Sequence, residues 1–351
     1  PKDPAELDKV LRAQAERLKS VLAESMALKN SDAEIIRLSS LADRAVAEGA
    51  IETAVFYREA AKKRAASVSS ALDQTEVALA ARRLELAEVY AKSGETYVLA
   101  FDHRAAADDF LKASAEAERW NAGKALGYRL AAAEALKLDG QYKGNKESLE
   151  KAVAAYELAS REITEASDPQ RWLKTQADLA SALQILGERE TDVEKLRRGA
   201  AILEALLTRK ELLTGRFSRS EILTRLALIL SRLGEREVGT VSLLKAARTF
   251  EAALAELPWL NASFARASIQ GNLGAVLMNA GQRERGTQNL DRAIAVFENA
   301  LRGLSARETP VNWAVTQSNL GLALRFKGER ESSSQTLKQS IAAFQAALTV
   351  F

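Results

Sequence analysis

Apolar and small residues recur along this chain with a long, nearly constant period, and a glycine marks each recurrence. The segments around the later glycines are closely similar, as in Leu-Gly-Glu-Arg-Glu around both Gly187 and Gly234. Successive glycines lie 47 residues apart from Gly140 to Gly328, and 46 or 45 residues apart before Gly140. This self-similarity predicts seven repeated units. The marker glycines are Gly49, Gly94, Gly140, Gly187, Gly234, Gly281 and Gly328.

The residues before each marker glycine predict an amphipathic helix. Leucine predominates eight positions before the glycine, a small residue always lies seven before it, and Leu or Tyr lies four before it in all units but the first. Offsets of one, three and four residues trace one stripe of a helix. We expect the glycine to end this helix in the left-handed conformation. The small residues are Ala42, Ala87, Ala133, Ala180, Ala227, Gly274 and Gly321.

The residues after each marker predict a second helix that packs closely on the first. Leucine recurs nine positions after the glycine, with His103 in its place in one unit, and small residues recur at twelve. Large side chains follow at sixteen, which places each of them between small residues on one helical face. The large residues are Phe110, Tyr156, Leu203, Phe250, Phe297 and Phe344.

These columns resemble the tetratricopeptide repeat, in a long, bacterial-type variant of about 47 residues. The resemblance covers residues 31–351, although the early Trp of the family is absent at its usual offset and the second-helix columns come later than in the shorter form. It implies an all-α fold, an α-α superhelix or solenoid of seven helix-turn-helix repeats. It also implies that a protein or peptide partner binds on the concave face.

Residues 1–30 precede the repeats and predict an additional N-terminal helix. Leu7, Leu11 and Leu18 lie on one stripe of it, which suits either a cap on the first repeat or a coiled coil that mediates dimerisation. Residues 31–351 form the predicted solenoid. At its end we expect Ala347, Leu348, Val350 and Phe351 to be exposed, so that the natural chain continues or associates with a second copy.

Composition narrows the classes of function. The net charge is only +3, with 50 basic and 47 acidic residues interleaved along the chain, so we expect no nucleic-acid partner. There is no cysteine, and no apolar run approaches the length of a membrane span. We expect a cytoplasmic location, although a cysteine-free chain suits the periplasm equally well. His103 is the single histidine, and we interpret it as a structural residue rather than a catalytic or metal-binding one.

Two sets of polar residues are candidates for partner contacts. The first lies at positions that the resemblance places on the concave face, where asparagine amides can clamp a peptide backbone because they both donate and accept. The second is an arginine column at the loop edge, which either pairs with neighbouring glutamates or recognises an acidic partner. The concave set is Asp178, Gln184, Arg225, Arg232, Asn272, Asn279, Asn319 and Arg325. The loop-edge set is Arg189, Arg236, Arg283 and Arg330.

We therefore predict a scaffold or adaptor that binds a protein or peptide and is not an enzyme, with no cofactor and no metal. One alternative is a regulatory or sensor region of a larger enzyme or signalling protein. Another is a self-assembling repeat protein, through the N-terminal helix or the uncapped last repeat. The sequence does not identify the partner.

Overall fold

A computed structural model describes residues 32–69, 76–257 and 263–350 of the chain, together with Ala13. The elements of these residues are helices, and the predicted all-α fold is confirmed. No helix among them is long and apolar enough to cross a membrane. The predicted N-terminal helix of residues 1–30 lies outside the described residues.

The chain divides into two compact units, residues 1–167 and residues 168–351. In the first unit six helices are described, and consecutive helices pack against each other from α1 to α6. They are α1 (Ala33–Ala47), α2 (Ile51–Ser69), α3 (Glu76–Leu99), α4 (His103–Ala117), α5 (Ala122–Lys143) and α6 (Lys146–Glu162).

The second unit contains eight described helices in four consecutive pairs. Each helix packs on the next, and the first helices of neighbouring pairs also contact one another, α7 with α9, α9 with α11 and α11 with α13. The helices are α7 (Pro169–Glu190), α8 (Val193–Leu207), α9 (Arg219–Arg236), α10 (Val241–Glu256), α11 (Ser263–Arg283), α12 (Gln288–Arg302), α13 (Pro310–Glu331) and α14 (Ser334–Leu348). Two short 3₁₀ turns, Lys210–Leu212 and Gly215–Phe217, connect α8 to α9.

Short polar side chains begin most of these helices. Ser218 accepts a hydrogen bond from the Glu221 backbone N–H, and Glu221 lies three residues later as in a capping box. Asp32 begins α1 and Asp192 begins α8, and each carboxylate accepts hydrogen bonds from first-turn backbone amides. A carboxylate is the stronger acceptor at the positive end of a helix.

The reason for the marker glycines differs from the predicted one. Only Gly49 among them has a positive φ, of 75°, and it follows the end of α1 with hydrogen bonds from Gly49 N–H to Val46 O and from Ala50 N–H to Ala45 O. The later markers lie inside helices, so the expectation that they end those helices is wrong.

Close helix packing explains the later markers instead. A Cβ on Gly234 would lie 2.7 Å from Leu243 Cγ and 2.8 Å from the Leu243 backbone nitrogen. At Gly140 the corresponding distance to Leu149 Cγ is only 2.2 Å. The glycine therefore allows the leucine nine positions later, at the start of the second helix, to seat directly on the first helix.

The large residues of the second helices fill the interior of their pairs, except that Phe344 of the last pair is only partly buried. Phe250 and Phe297 are fully buried, and Phe297 lies so close to the small column that a Cβ on Gly274 would meet its ring at 2.5 Å. The small column thus receives the aromatic ring of its own pair. One core forms in the second unit from these columns and runs from α7 to α14.

The apolar end of α14 is only partly exposed. Leu348 is 70% exposed, in line with expectation, whereas Ala347 is 2% exposed. The expectation that Ala347 is exposed is wrong because this residue occupies the last small column of a second helix, which faces its own first helix.

Replacing Phe297 with alanine should lower the free energy of unfolding by about 3–5 kcal/mol, because it empties a fully buried site. Phe344→Ala is the matched control, since Phe344 occupies the same column but is only partly buried. Its cost should be smaller. Urea denaturation followed by circular dichroism measures both, and equal costs would contradict the column assignment.

Gly234→Ala should destabilise the protein by about 1–3 kcal/mol through overpacking against Leu243. Gly271→Ala is the control within a helix, because a Cβ there would meet nothing within 4 Å. This second change should stabilise the protein by about 0.5–1 kcal/mol through helix propensity. Opposite signs in thermal unfolding support close packing as the reason for the marker, and a stabilising Gly234→Ala refutes it.

Candidate functional site

The predicted concave residues lie on the first helices of the second unit. We use "first-helix face" for the residues nine, six and two positions before each marker glycine on α7, α9, α11 and α13. Most of the predicted residues are half-buried, while Arg232 and Arg325 are exposed and Asp178 is buried. Gln184 and Arg325 lie one position before this face, three positions before their glycines.

Charged residues on α7 and α9 are paired within the chain. Asp178 accepts a hydrogen bond from Lys174 Nζ at 2.7 Å, one turn away on α7. Arg225 Nε lies 3.0 Å from Glu221 Oε1 on α9, and the Arg225 guanidinium lies over the Phe217 ring. These contacts neutralise each charge locally.

Arg232 connects α9 to α7. Its Nε lies 3.1 Å from Glu188 Oε1 and its Nη1 lies 3.1 Å from Glu235 Oε2, while Gln184 donates to the same Glu188 carboxylate at 3.0 Å. Burial lowers the pKa of Arg232, but the two carboxylates outweigh it and the net direction is upward. This end of the first-helix face is therefore a closed network of ion pairs.

The α11 and α13 end of the face is uncharged at the equivalent positions. Asn272, Asn279 and Asn319 are half-buried, and their amides have no hydrogen-bond partner among the described residues. Arg325 lies beside them with its guanidinium over the Phe326 ring, 4.7 Å from the ring centroid. Three amides, each able to donate and accept, thus remain open to a partner.

An apolar strip runs between these amides and across neighbouring helices. Leu228 on α9, Ala275 on α11 and Leu322 on α13 occupy the same position, six before their marker glycines, and each is half-buried against the core. A strip of this kind offers an apolar floor, and the asparagines beside it offer hydrogen bonds. That combination fits an extended polypeptide.

The loop-edge arginines donate to the backbone of the preceding helix pair. Arg283 Nη1 lies 2.7 Å from Gly234 O, 2.8 Å from Glu237 O and 2.7 Å from Gly239 O. These carbonyls lie in the last turn of α9 and in the loop that follows it, where helix hydrogen bonding ends. Arg283 therefore closes the exposed end of the preceding first helix.

The same contact recurs in the neighbouring pairs. Arg236 Nη2 lies 2.7 Å from Glu188 O, and Arg330 Nη1 lies 2.7 Å from both Gly281 O and Gly286 O. Arg189 is exposed in the last turn of α7. The sequence indicated the arginine column, but it could not show that the acceptors are backbone carbonyls one repeat earlier. In three helix pairs, the arginine column therefore holds neighbouring repeats together.

His103 begins α4 and is only 1% exposed. Its ring centroid lies 6.2 Å from that of Phe101 and 5.8 Å from that of Tyr142. Within the described ranges, no group of three or more His, Asp or Glu side chains is arranged to hold a metal ion. The position suits the structural role expected for this histidine.

A buried charge cluster in the first unit was not anticipated from the sequence. Arg58 on α2 is 2% exposed and contacts Asp43 of α1, while its Nε lies 3.3 Å from Thr96 Oγ1 of α3. A buried arginine is tolerated because a carboxylate and a hydroxyl both accept from it. No periodic signal marks Arg58, since its partners come from other helices.

Lys62 continues this cluster one turn further along α2. Its Nζ lies 2.8 Å from Asp109 Oδ2 on α4 and 2.7 Å from Glu59 Oε1, and Tyr97 also donates to Glu59. Burial lowers the pKa of Lys62, but the two carboxylates outweigh it and raise that pKa overall. Burial and the Glu59 carboxylate together raise the pKa of Tyr97. With every member engaged, the cluster holds α2, α3 and α4 together.

No protein-family model and no curated protein matches the chain. Among solved structures, it is similar to a crystal structure of NprR in complex with its cognate peptide NprX, at 12% identity and a TM-score of 0.39 over 96% of this chain and 87% of that one. It is also similar to a circular tandem repeat protein with novel repeat topology, at 15% identity and a TM-score of 0.35 over 98% and 84% of the two chains.

A third similarity is to a computationally designed self-assembling cyclic homooligomer, at 13% identity and a TM-score of 0.15 over 98% and 97% of the chains. All three TM-scores are low, so the function of this chain has to be inferred from its own contacts.

Arg283→Ala should lower stability by about 1–3 kcal/mol, because it removes charge-assisted donors from several carbonyls at the end of α9. Arg285→Ala, two residues further along the same loop edge, is the control and should change stability by less than about 0.5 kcal/mol. Urea denaturation measures both. Arg283→Lys should recover only part of the loss, since an ammonium lacks the planar fork. Equal effects of the two alanine changes would contradict the capping role.

Proposed function

We propose that this chain is a binding protein that holds an extended segment of a protein or peptide partner on the first-helix face of α7, α9, α11 and α13. One observation carries the proposal: the charged residues of α7 and α9 on this face are paired within the chain, whereas Asn272, Asn279 and Asn319 have no hydrogen-bond partner among the described residues. Half-buried amides without a partner can form hydrogen bonds with the polar groups of a bound chain.

The spacing between neighbouring first helices suits an extended polypeptide backbone as the bound chain. Packed helices lie about 8–10 Å apart, and an extended peptide rises about 3.3 Å per residue. Asn272 and Asn319, at equivalent positions on neighbouring first helices, would therefore meet backbone groups about three residues apart. Each carboxamide can accept from a peptide N–H and donate to a carbonyl oxygen.

The apolar strip and its surroundings set the side-chain preference. Leu228, Ala275 and Leu322 would receive apolar side chains of the bound segment, because they are the half-buried apolar residues between the amides. Arg325 lies at the α13 end, with Glu329 at 3.6 Å as a distant and exposed counter-ion. A segment with apolar residues and an acidic group near α13 fits this arrangement best.

A region of this kind serves equally as an independent adaptor or as the sensor region of a larger protein, and the binding chemistry is the same in both. Self-assembly is a separate candidate. It is favoured by Ile341 and Leu348, which lie seven residues apart on one face of α14 and are 56% and 70% exposed. Light scattering over a range of concentrations separates the two, since a strict monomer leaves only partner binding.

Asn272→Ala with Asn319→Ala should weaken peptide binding by about tenfold or more, because two bidentate hydrogen-bonding sites are lost. The probe is the strongest binder from a random extended-peptide library selected on the wild-type protein. Fluorescence anisotropy measures its affinity, and circular dichroism should show unchanged helicity.

The matched control is Asn299→Ala, which removes an exposed asparagine from the second helix α12. Affinity should be unchanged in this variant. If the double variant binds the selected peptide as tightly as the wild type does, the first-helix face is not the binding site. If the library yields no binder, the proposal of an extended-peptide partner fails.

A further inference from the structure

A second groove lies between the second helices α12 and α14, and residues of α13 also line it. Its volume is about 480 Å³. The floor is apolar and includes Ile294, Leu320 and Leu324, while Glu298 and Gln339 line it from the two second helices. The groove is thus open and amphipathic, and none of its lining residues belongs to the first-helix face.

An ion pair bridges neighbouring second helices in the preceding repeats. Lys245 Nζ of α10 lies 2.7 Å from Glu204 Oε1 of α8, and Arg292 Nη2 of α12 lies 2.8 Å from Glu251 Oε1 of α10. Both partners advance by 47 residues from the first pair to the second. The repeat therefore supplies one acidic and one basic residue to both of these junctions between second helices.

At the third junction the basic residue is missing. The next acidic position is Glu298, but Gln339 of α14 stands where Lys245 and Arg292 stand in the earlier repeats. Glu298 is exposed and has no hydrogen-bond or ion-pair partner among the residues that the structure describes. The acidic half of the ion pair is present without its cation.

A smaller apolar side chain on α14 also lines the groove. Ala343 lines the groove at the position that Ile202, Thr249 and Val296 occupy in the preceding second helices. Gln339 at the polar edge and Ala343 at the apolar floor are each smaller than most of their counterparts in the earlier repeats. Together they leave the space into which an aliphatic chain with a charged end would fit.

The remaining charges in the groove do not satisfy Glu298. Lys327 of α13 is hydrogen-bonded to Asp291 of α12, and this bond raises the pKa of Lys327, so the ammonium stays charged and paired. Gln317, Thr336 and Gln339 are neutral lining residues. The groove therefore has a net charge of about −1 from Glu298.

We propose that this groove binds an arginine side chain of a partner protein, which supplies to Glu298 the cation that Gln339 does not. The guanidinium would pair with Glu298 as Arg292 pairs with Glu251 inside the chain, and the aliphatic stem would lie on Ile294, Leu320 and Leu324. This site is independent of the first-helix face, and each can exist without the other.

The test uses the full chain and the capped peptide acetyl-Ala-Leu-Arg-Leu-Ala-amide, with a matched peptide in which neutral citrulline replaces arginine. Methyl-labelled protein is titrated up to about 10 mM peptide and followed by NMR. We expect the methyl groups of Ile294, Leu320 and Leu324 to shift, and we expect the arginine peptide to bind at least about threefold more tightly than the citrulline peptide.

Two variants locate the interaction. Glu298→Gln should remove the preference for arginine over citrulline, whereas the control Glu251→Gln, one repeat earlier, should retain it. Gln339→Arg should complete the ion pair within the chain, close the groove and abolish binding of the arginine peptide. Glu298, Glu251 and Gln339 are all exposed, so circular dichroism should show unchanged folding in all three variants.

Several outcomes would overturn the inference. These are equal affinity for the two peptides, an arginine preference that survives Glu298→Gln, or no methyl shift at the groove. Shifts confined to the methyl groups of Leu228 and Leu322 would likewise refute this site while supporting the first-helix face. In the Asn272 and Asn319 double variant, the arginine peptide should still shift the groove methyl groups even when binding of the library-selected peptide is lost. Loss of both would contradict the independence of the two sites.

Discussion

The close approach of the two helices in each pair is the constraint on which the rest of the structure depends. It requires glycine or another small residue on the first helix wherever the second helix places a large side chain against it. Gly234 receives Leu243 and Gly274 receives Phe297, at distances that leave no room for a Cβ. Because these contacts recur at a nearly constant period, the second unit builds one core from similar junctions between adjacent helices.

Cohesion between pairs depends on a second periodic contact, and it gives the polar loop edge a structural role. The guanidinium of Arg283 closes the carbonyl groups at the end of α9, one repeat earlier, and Arg330 does the same for α11. The first helices α7, α9 and α11 therefore end against the next repeat. From sequence alone, Arg283 and Arg330 were candidates for recognising an acidic partner. In the structure they donate to backbone carbonyl groups that would otherwise depend on water for hydrogen bonds.

Both proposed binding sites lie where the repeat departs from its own pattern. The first-helix face carries paired charges on α9 but open amides at Asn272 and Asn319, and the junctions of the second helices carry an ion pair until Gln339 interrupts the series. A periodic scaffold tolerates such changes because surface positions contribute little to the stability of each pair. Differences between repeats are therefore the most informative positions for function.

Period, helix pairing and the buried columns could be predicted from the sequence, because packing of adjacent helices imposes residue size at fixed local spacings, as at Phe297 and Gly274. Long-range polar contacts could not. The acceptors of Arg283 lie 44 to 49 residues earlier in the chain, and the buried Arg58 has partners on two other helices. The sequence placed the candidate face on the first helices by position, but only the tertiary structure distinguished paired charges from open amides. Hydrogen-bond partners depend on which turns of separate helices meet, and a one-dimensional pattern does not contain that information.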